Sequence, residues 1–528
     1  MSVIPYPYNR IGAHGDVADG AVAGEKGVFT YLRNGSLYQK AMTIESTFLD
    51  SAKVSRMEIS SAGTATHTTV HGGGTMHVMA GGTAEGAVVN SYGRVYVSSG
   101  GVLTEPEVNL SAYVYVSSGA AVSQGTINSI GRVYLQSGGT AYGMVISPAG
   151  SLFGDGNNNR FVSCVHSANA YFNPGNAASI EHATVASGGG IACPAGASLA
   201  NASILSGGLI TLNSGGTCTG LTIAAGGRIN AGVWGHDEET VLVGTNDVGE
   251  FSISNGTAHN FVLAGGVSLP LYYYASAVST VLSSGGSVFV SFGAVASHTT
   301  VCQGARIFVY SGGTALDTLV SSGGSAFADF CGTVSGLTVR SGGVFYASNY
   351  GRASAVTLDQ GAYGYASLGG TVVSLTVGGS FYASSGCLVE SVVMSSGGSC
   401  YFRRVCSASG VTVGASATLT MYDNCSIADM VIQNGGRVTL QTMIEASGIT
   451  MSEGAFCSAS GYCGVSNVSI ASGASLHLVY FVSASNITVA SGGMLVVGNA
   501  ASAVAVTSHE GAVITIEGGV VEYVTQGE

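Results

Sequence analysis

Apolar residues recur along this chain at a spacing far longer than any helical or strand period. From Val70, aliphatic residues return at Val89, Val108, Ile127, Ile146 and Val165, in equal steps of nineteen. The series continues through Val185, Ile204, Ile223, Val243, Val262 and Leu282, then Val301, Val320, Val339, Leu358 and Val377. After one short step it resumes at Met394 and runs through Val413, Ile432, Met451, Ile470 and Val489 to Val506, and no step departs from nineteen by more than two. Inside the unit, Gly-Gly or a variant follows the anchor by three and four positions. A second apolar residue stands eight after it, as at Val78, Val97, Val116 and Leu135. A second Gly pair, as at Gly81-Gly82 and Gly100-Gly101, opens the next segment. Short apolar segments between regular turn signals read as strands. The glycines supply the positive φ that such turns need.

A fixed period of this length is the signature of a repeat architecture. One coil of nineteen cannot bury its own apolar face, but a stack of coils can. The prediction is therefore an all-β chain, a single long parallel β-solenoid (β-helix) of about 24 coils, with residues 55–528 forming the stack. A β-sandwich would not require equivalence at every nineteenth position. Residues 1–54 read as a non-repeat N-terminal cap or docking segment, because 12 of the 44 charged residues lie within positions 1–60 and Pro5 and Pro7 break the pattern.

One in-coil position collects aromatics. Tyr96, Tyr115, Tyr134, Phe153 and Phe172 follow the same step of nineteen. The series lapses through Ala192, Thr211 and Asn230. It returns as Phe289, Phe308, Phe327, Tyr346, Tyr365, Tyr382 and Tyr401. Strand side chains alternate between faces, so if the flanking Val95 and Val97 point inward, the aromatics point outward. Three readings follow: a stacking ladder that rigidifies the coil, an exposed stripe for a partner, or an internal aromatic core with the valines outside.

Composition narrows the function. Charged residues are only 8% of the chain and the formal net charge is −12. This disfavours nucleic-acid partners, which need cationic stripes, and docking to anionic lipid. No apolar run is long enough for a membrane-inserted helix, and the N-terminus lacks the basic start and apolar stretch of a secretory signal. The eleven cysteines are odd in number and show no CxxC, so they read as small apolar or turn residues; Cys406 and Cys425 are spaced to stack on adjacent coils. Two polar clusters are candidates for chemistry. His236-Asp237-Glu238-Glu239 beside Trp234 reads as a solvated turn. Asp155-Gly156-Asn157-Asn158-Asn159-Arg160 resembles part of a calcium loop without its terminal Glu. No catalytic, metal or cofactor site is assigned, although β-helix folds also host polysaccharide-active enzymes.

The units Ala80–Val89 and Val97–Thr104, with the turns Ser283-Ser-Gly-Gly286, Ser321-Ser-Gly-Gly324 and Ser395-Ser-Gly-Gly398, resemble AIDA-type repeats, found in the passenger domains of self-associating autotransporter adhesins. The likeness covers roughly residues 55–525. It implies a right-handed solenoid at the cell surface or outside the cell. Its partners would be further copies of itself, or glycans and proteins of host or bacterial surfaces. It also implies O-glycosylation by a heptosyltransferase, with Ser98, Ser99, Ser117, Ser118, Ser283, Ser284, Ser321, Ser322, Ser395 and Ser396 as acceptors in the matching context. The chain departs from the family in lacking a visible signal peptide and the alternating strands of a C-terminal translocator. Those departures keep a phage tail or fibre-like receptor-binding component as the alternative.

Overall fold

In the computed structural model, residues 63–231 and 268–526 are described almost continuously, together with strand segments between 17 and 60 and between 240 and 263. Every described regular element is a β-strand. The chain divides into two units, Met1–Val262 and Leu263–Glu528. Each is a parallel β-solenoid, and the two hold about 22 turns in all.

The coil at residues 82–101 shows how the sequence makes a turn of the solenoid. Three strands, Thr83–Glu85, Val88–Val89 and Arg94–Val97, each pair in parallel with their equivalents one repeat away. Alternation sends Ala84, Val89, Val95 and Val97 inward, where with Ala87 they are fully buried. Each buried aliphatic side chain of valine size contributes about 1.5–3 kcal/mol relative to exposure, and only the coils above and below supply the cover. In later coils of the second unit the first two strands merge, as in Thr333–Val339, bent at Gly336 with φ of 70°.

The two glycines of a Gly-Gly turn do different work. Gly342 has φ of 77°, which only glycine adopts without a Cβ penalty. The following position is set by space instead. At Gly313, which follows Gly312, a Cβ would overlap the carbonyl oxygen of Val290 in the previous coil.

Four of the sequence anchors are corrected. The Asp155–Asn159 insertion lengthens one coil by a single position, so Ile146 pairs with His166 and not with Val165. His166 is fully buried and Val165 is not. A one-residue slip moves a strand's inward set to the other face, which is why the sequence cannot see this step by counting in nineteens. Leu263, not Val262, is the buried member before Leu282. Val243 aligns with Thr219, away from Ile223. Val506 is buried but pairs with Ile487, leaving Ser508 opposite Val489. Pairing also reaches into the segment read as non-repeat: Ser36–Lys40 pairs in register with Arg56–Ser60, and Thr43–Glu45 with Thr64–Thr66.

Candidate interaction surface

The aromatic position faces outward, so the internal-core reading is set aside. In the first unit the rings of His77, Tyr96, Tyr115, Tyr134 and Phe153 stack with centroids 4.7–5.4 Å apart. His77 is an addition to the ladder expected from sequence, although it stands one full repeat before Tyr96. Phe172 is the correction. The insertion at Asp155–Asn159 pairs Phe153 with Asn173 and Leu152 with Phe172. Phe172 is thereby turned inside, against the edges of Phe161 and His166.

In the second unit the ladder is complete as read. Phe289, Phe308, Phe327, Tyr346, Tyr365, Tyr382 and Tyr401 stack at 4.7–5.2 Å with interplanar angles of 2–14°. Such pairs add about 0.5–1.5 kcal/mol each beyond area burial. Each inner ring has a ring on both faces, so it shows solvent an edge. Desolvation within the stack, and then the neighbouring phenols, raise the hydroxyl pKa of Tyr115 and Tyr365 above the usual tyrosine value.

A second exposed apolar set was not legible by period alone. At the corner after the ladder strand of the second unit, Phe292, Phe330, Tyr350, Leu368, Val405, Met443, Tyr462 and Phe481 are all exposed and all have positive φ. Tyr350 is 69% and Val405 63% exposed. Positive φ in a bulky or β-branched residue is uncommon and costs strain. Tyr462 and Phe481 stack at 4.9 Å. The available signal was an aromatic placed where the turn of a neighbouring coil carries glycine, as at Tyr350, which stands level with Gly369.

The ten serines occupy two corners. Ser98, Ser99, Ser117 and Ser118 follow ladder strands in the first unit. Ser283, Ser284, Ser321, Ser322, Ser395 and Ser396 follow anchor strands in the second. In each pair the second serine (Ser99, Ser118, Ser284, Ser322, Ser396) is exposed, whereas the first is half-buried except at Ser395. The glycine of the next coil leaves room for it: a Cβ at Gly342 would sit 2.6 Å from the Ser322 hydroxyl oxygen. An unread polar ladder, Asn90–Asn109–Asn128, links three coils of the first unit through amide hydrogen bonds of 3.0 and 2.7 Å.

All eleven cysteines are free thiols, and nine are buried. Cys387, Cys406 and Cys425 stack on successive coils, and each donates to the carbonyl three residues back, at 2.8, 3.1 and 3.0 Å. Burial pushes the Cys164 thiol up to about 11 and that of Cys457 to about 12, which suppresses the reactive thiolate. Cys331 alone is exposed and Cys302 half-buried. Alkylation of the folded protein, followed by intact mass, is therefore expected to add one label quickly, a second slowly and the rest only in denaturant. Cys331→Ser removes the fast label.

The Asp155–Arg160 cluster folds around the insertion. Asn159 is buried and its amide donates to the Gly156 carbonyl at 3.3 Å. Arg160 makes two 3.2 Å hydrogen bonds to Glu181, which hold that carboxyl below the usual range. Among the described residues no three His, Cys, Asp or Glu side chains converge as a metal site. Trp234 and His236–Glu239 lie outside the described residues.

Among solved structures, the chain is similar to the TibC-catalysed hyper-glycosylated fragment of TibA, at 26% identity over 66% of this chain and 96% of that one, with a TM-score of 0.35. It also aligns with the PL6 family alginate lyase AlyGC, at 10% identity over 92% of this chain and 96% of that one (TM-score 0.16). A tailspike mutant of Escherichia coli bacteriophage HK620 aligns at 10% identity over 85% and 73% (TM-score 0.10). These superpositions are too loose to carry an argument, and the fold rests on the strand register above. No curated protein matches the chain. Residues 243–305 match the family model described as adhesin of bacterial autotransporter system, probable stalk. That segment therefore resembles an adhesin stalk of the AIDA type, and the same nineteen-residue unit is repeated on both sides of the match.

Proposed function

We propose that this protein is a structural adhesin of the cell exterior, whose solenoid walls present repeated side chains for homotypic association or for attachment to surface glycans and proteins. The observation that carries this reading is the row of exposed apolar residues held at positive φ in the second unit, together with the adhesin-stalk match. Turns that glycine would fill without strain hold Phe292, Phe330 and Tyr350 out in solvent instead. Exposed aromatic groups of this kind are the usual anchors of protein contacts. Their replacement by Asn, which tolerates the left-handed region, keeps the backbone and removes the apolar tip. The triple variant Phe292→Asn/Phe330→Asn/Tyr350→Asn is expected to weaken self-association at least tenfold in sedimentation and bead-aggregation assays. If it associates as the parent does, this corner is not the contact.

The serine turns supply the second part of the reading. Exposure ranks Ser99, Ser118, Ser284, Ser322, Ser395 and Ser396 as glycan acceptors ahead of the half-buried Ser98, Ser117, Ser283 and Ser321. Co-expression with a heptosyltransferase and glycopeptide mass spectrometry should find those six modified first. Preferential modification of the half-buried set would refute the ranking.

A further inference from the structure

The ladder of the second unit ends at Tyr401. Its near face is stacked on Tyr382 at 5.0 Å and 9°. In the next coil the residue in register is Thr420 and not another ring. The loss of the ring opens a cleft of about 290 Å³ lined by Tyr382, Tyr401, Arg403, Tyr422 and Asp423. Strand alternation explains who meets there. Tyr401 and Arg403 are two apart on Ser399–Arg403, so both face out. The Tyr422 amide donates to the Phe402 carbonyl at 2.8 Å, which sets Tyr422 over Arg403. Asp423 follows at the corner, with φ of 56°. Arg403 and Asp423 have opposite charge and line the same cleft, yet neither has an ion-pair partner among the described residues. Their hydrogen-bonding capacity is left to whatever enters.

We propose that this cleft is a saccharide subsite for a neutral pyranose, seated against the phenol rings of Tyr401 and Tyr422 with its hydroxyls read by Arg403 and Asp423. Along the rest of the ladder a sugar finds only ring edges. Where the column stops, phenol surface, a five-donor guanidinium and an acceptor-only carboxylate stand together. A pyranose needs that combination, with an apolar C–H face and hydroxyls that both donate and accept. The lining charges offset, so a carboxylated sugar would gain Arg403 but meet Asp423. This proposal deepens the glycan-attachment arm of the adhesin reading and rests on it only for biological context.

The test is saturation-transfer NMR and titration of the full chain with the methyl glycosides of glucose, galactose and mannose, and with methyl glucuronoside. At least one neutral glycoside is expected to bind saturably in the millimolar range. Arg403→Gln and Asp423→Asn, both at exposed positions, should each weaken that binding at least tenfold while circular dichroism stays unchanged. Absence of saturable binding by any neutral glycoside, binding unaffected by both variants, or preference for the glucuronoside would overturn the assignment. Self-association measured on the same variants separates the outcomes. If association persists while the sugar is lost, the adhesin reading stands apart from this site. If the sugar binds while association fails in the parent protein, the reverse holds.

Discussion

Phe381→Ala is expected to destabilise the second unit by about 3–5 kcal/mol, the range for deleting a buried phenylalanine. Phe381 is fully buried and lies in a column with Phe345 and Gly364. Gly364 has no side chain because the Phe381 ring and Leu358 fill its place. A Cβ there would lie 2.7 Å from Leu358 Cδ1 and 2.8 Å from Phe381 Cδ2. Removing the Phe381 ring therefore empties space belonging to two coils, and the stack collapses poorly because its spacing is fixed by strand pairing. Gly364→Ala alone should cost about 1–3 kcal/mol through overpacking. In the Phe381→Ala background the new methyl enters the vacated volume, so the double variant should be more stable than the sum of the single effects predicts. Urea unfolding gives the energies. Hydrogen exchange should place the loss in the coils around 345–402, because repeat units couple mainly to their neighbours. Strict additivity would show that the two positions do not share the space.

His166→Val is expected to remove an acid sensitivity from the first unit. His166 is fully buried between Ile146 and Val185, and neither ring nitrogen has a hydrogen-bond partner. Burial disfavours its charged form and lowers its pKa from 6.5 to about 3. The unfolded chain thus binds a proton that the folded chain refuses throughout pH 6.5 to 3. The stability penalty is absent above 6.5 and grows by about 1.4 kcal/mol per pH unit below it, reaching about 3 kcal/mol at pH 4. Valine matches the residue of the next coil and leaves no buried nitrogen unpaired, each of which costs about 1–3 kcal/mol. The variant should equal or exceed the parent at pH 7 and gain on it steadily towards pH 4. Carboxylates elsewhere titrate in both proteins and cancel in the comparison. An unchanged difference between pH 7 and pH 4 would mean that His166 is not the group responsible.

Both predictions concern places where the repeat period does not tell the whole story. The ladder at Phe289–Tyr401 was legible because no insertion interrupts that stretch apart from the two-residue shortening before Tyr382, and parity survives an even change. Phe172 was misplaced because the insertion at Asp155–Asn159 adds a single position, and an odd change exchanges inside for outside. The corner row from Phe292 to Phe481 was hidden for another reason. Its members recur at unequal places within the turn, and what unites them is backbone conformation, which residue type alone does not disclose.

By itself the sequence determined the repeat, the parallel stacking, the buried aliphatic ladders, the aromatic column and the likeness to adhesin repeats. These follow from local alternation summed over many equivalent units, and repetition corrects single ambiguities. Only the tertiary structure decided that a histidine occupies an anchor position, that the second turn glycine answers to space and not to φ, and that the serine turns fall on two corners. It alone brought Tyr382, Tyr401, Arg403, Tyr422 and Asp423 to one cleft. Those outcomes depend on which residues of different coils come level, and that is fixed by the accumulated length of every coil between them.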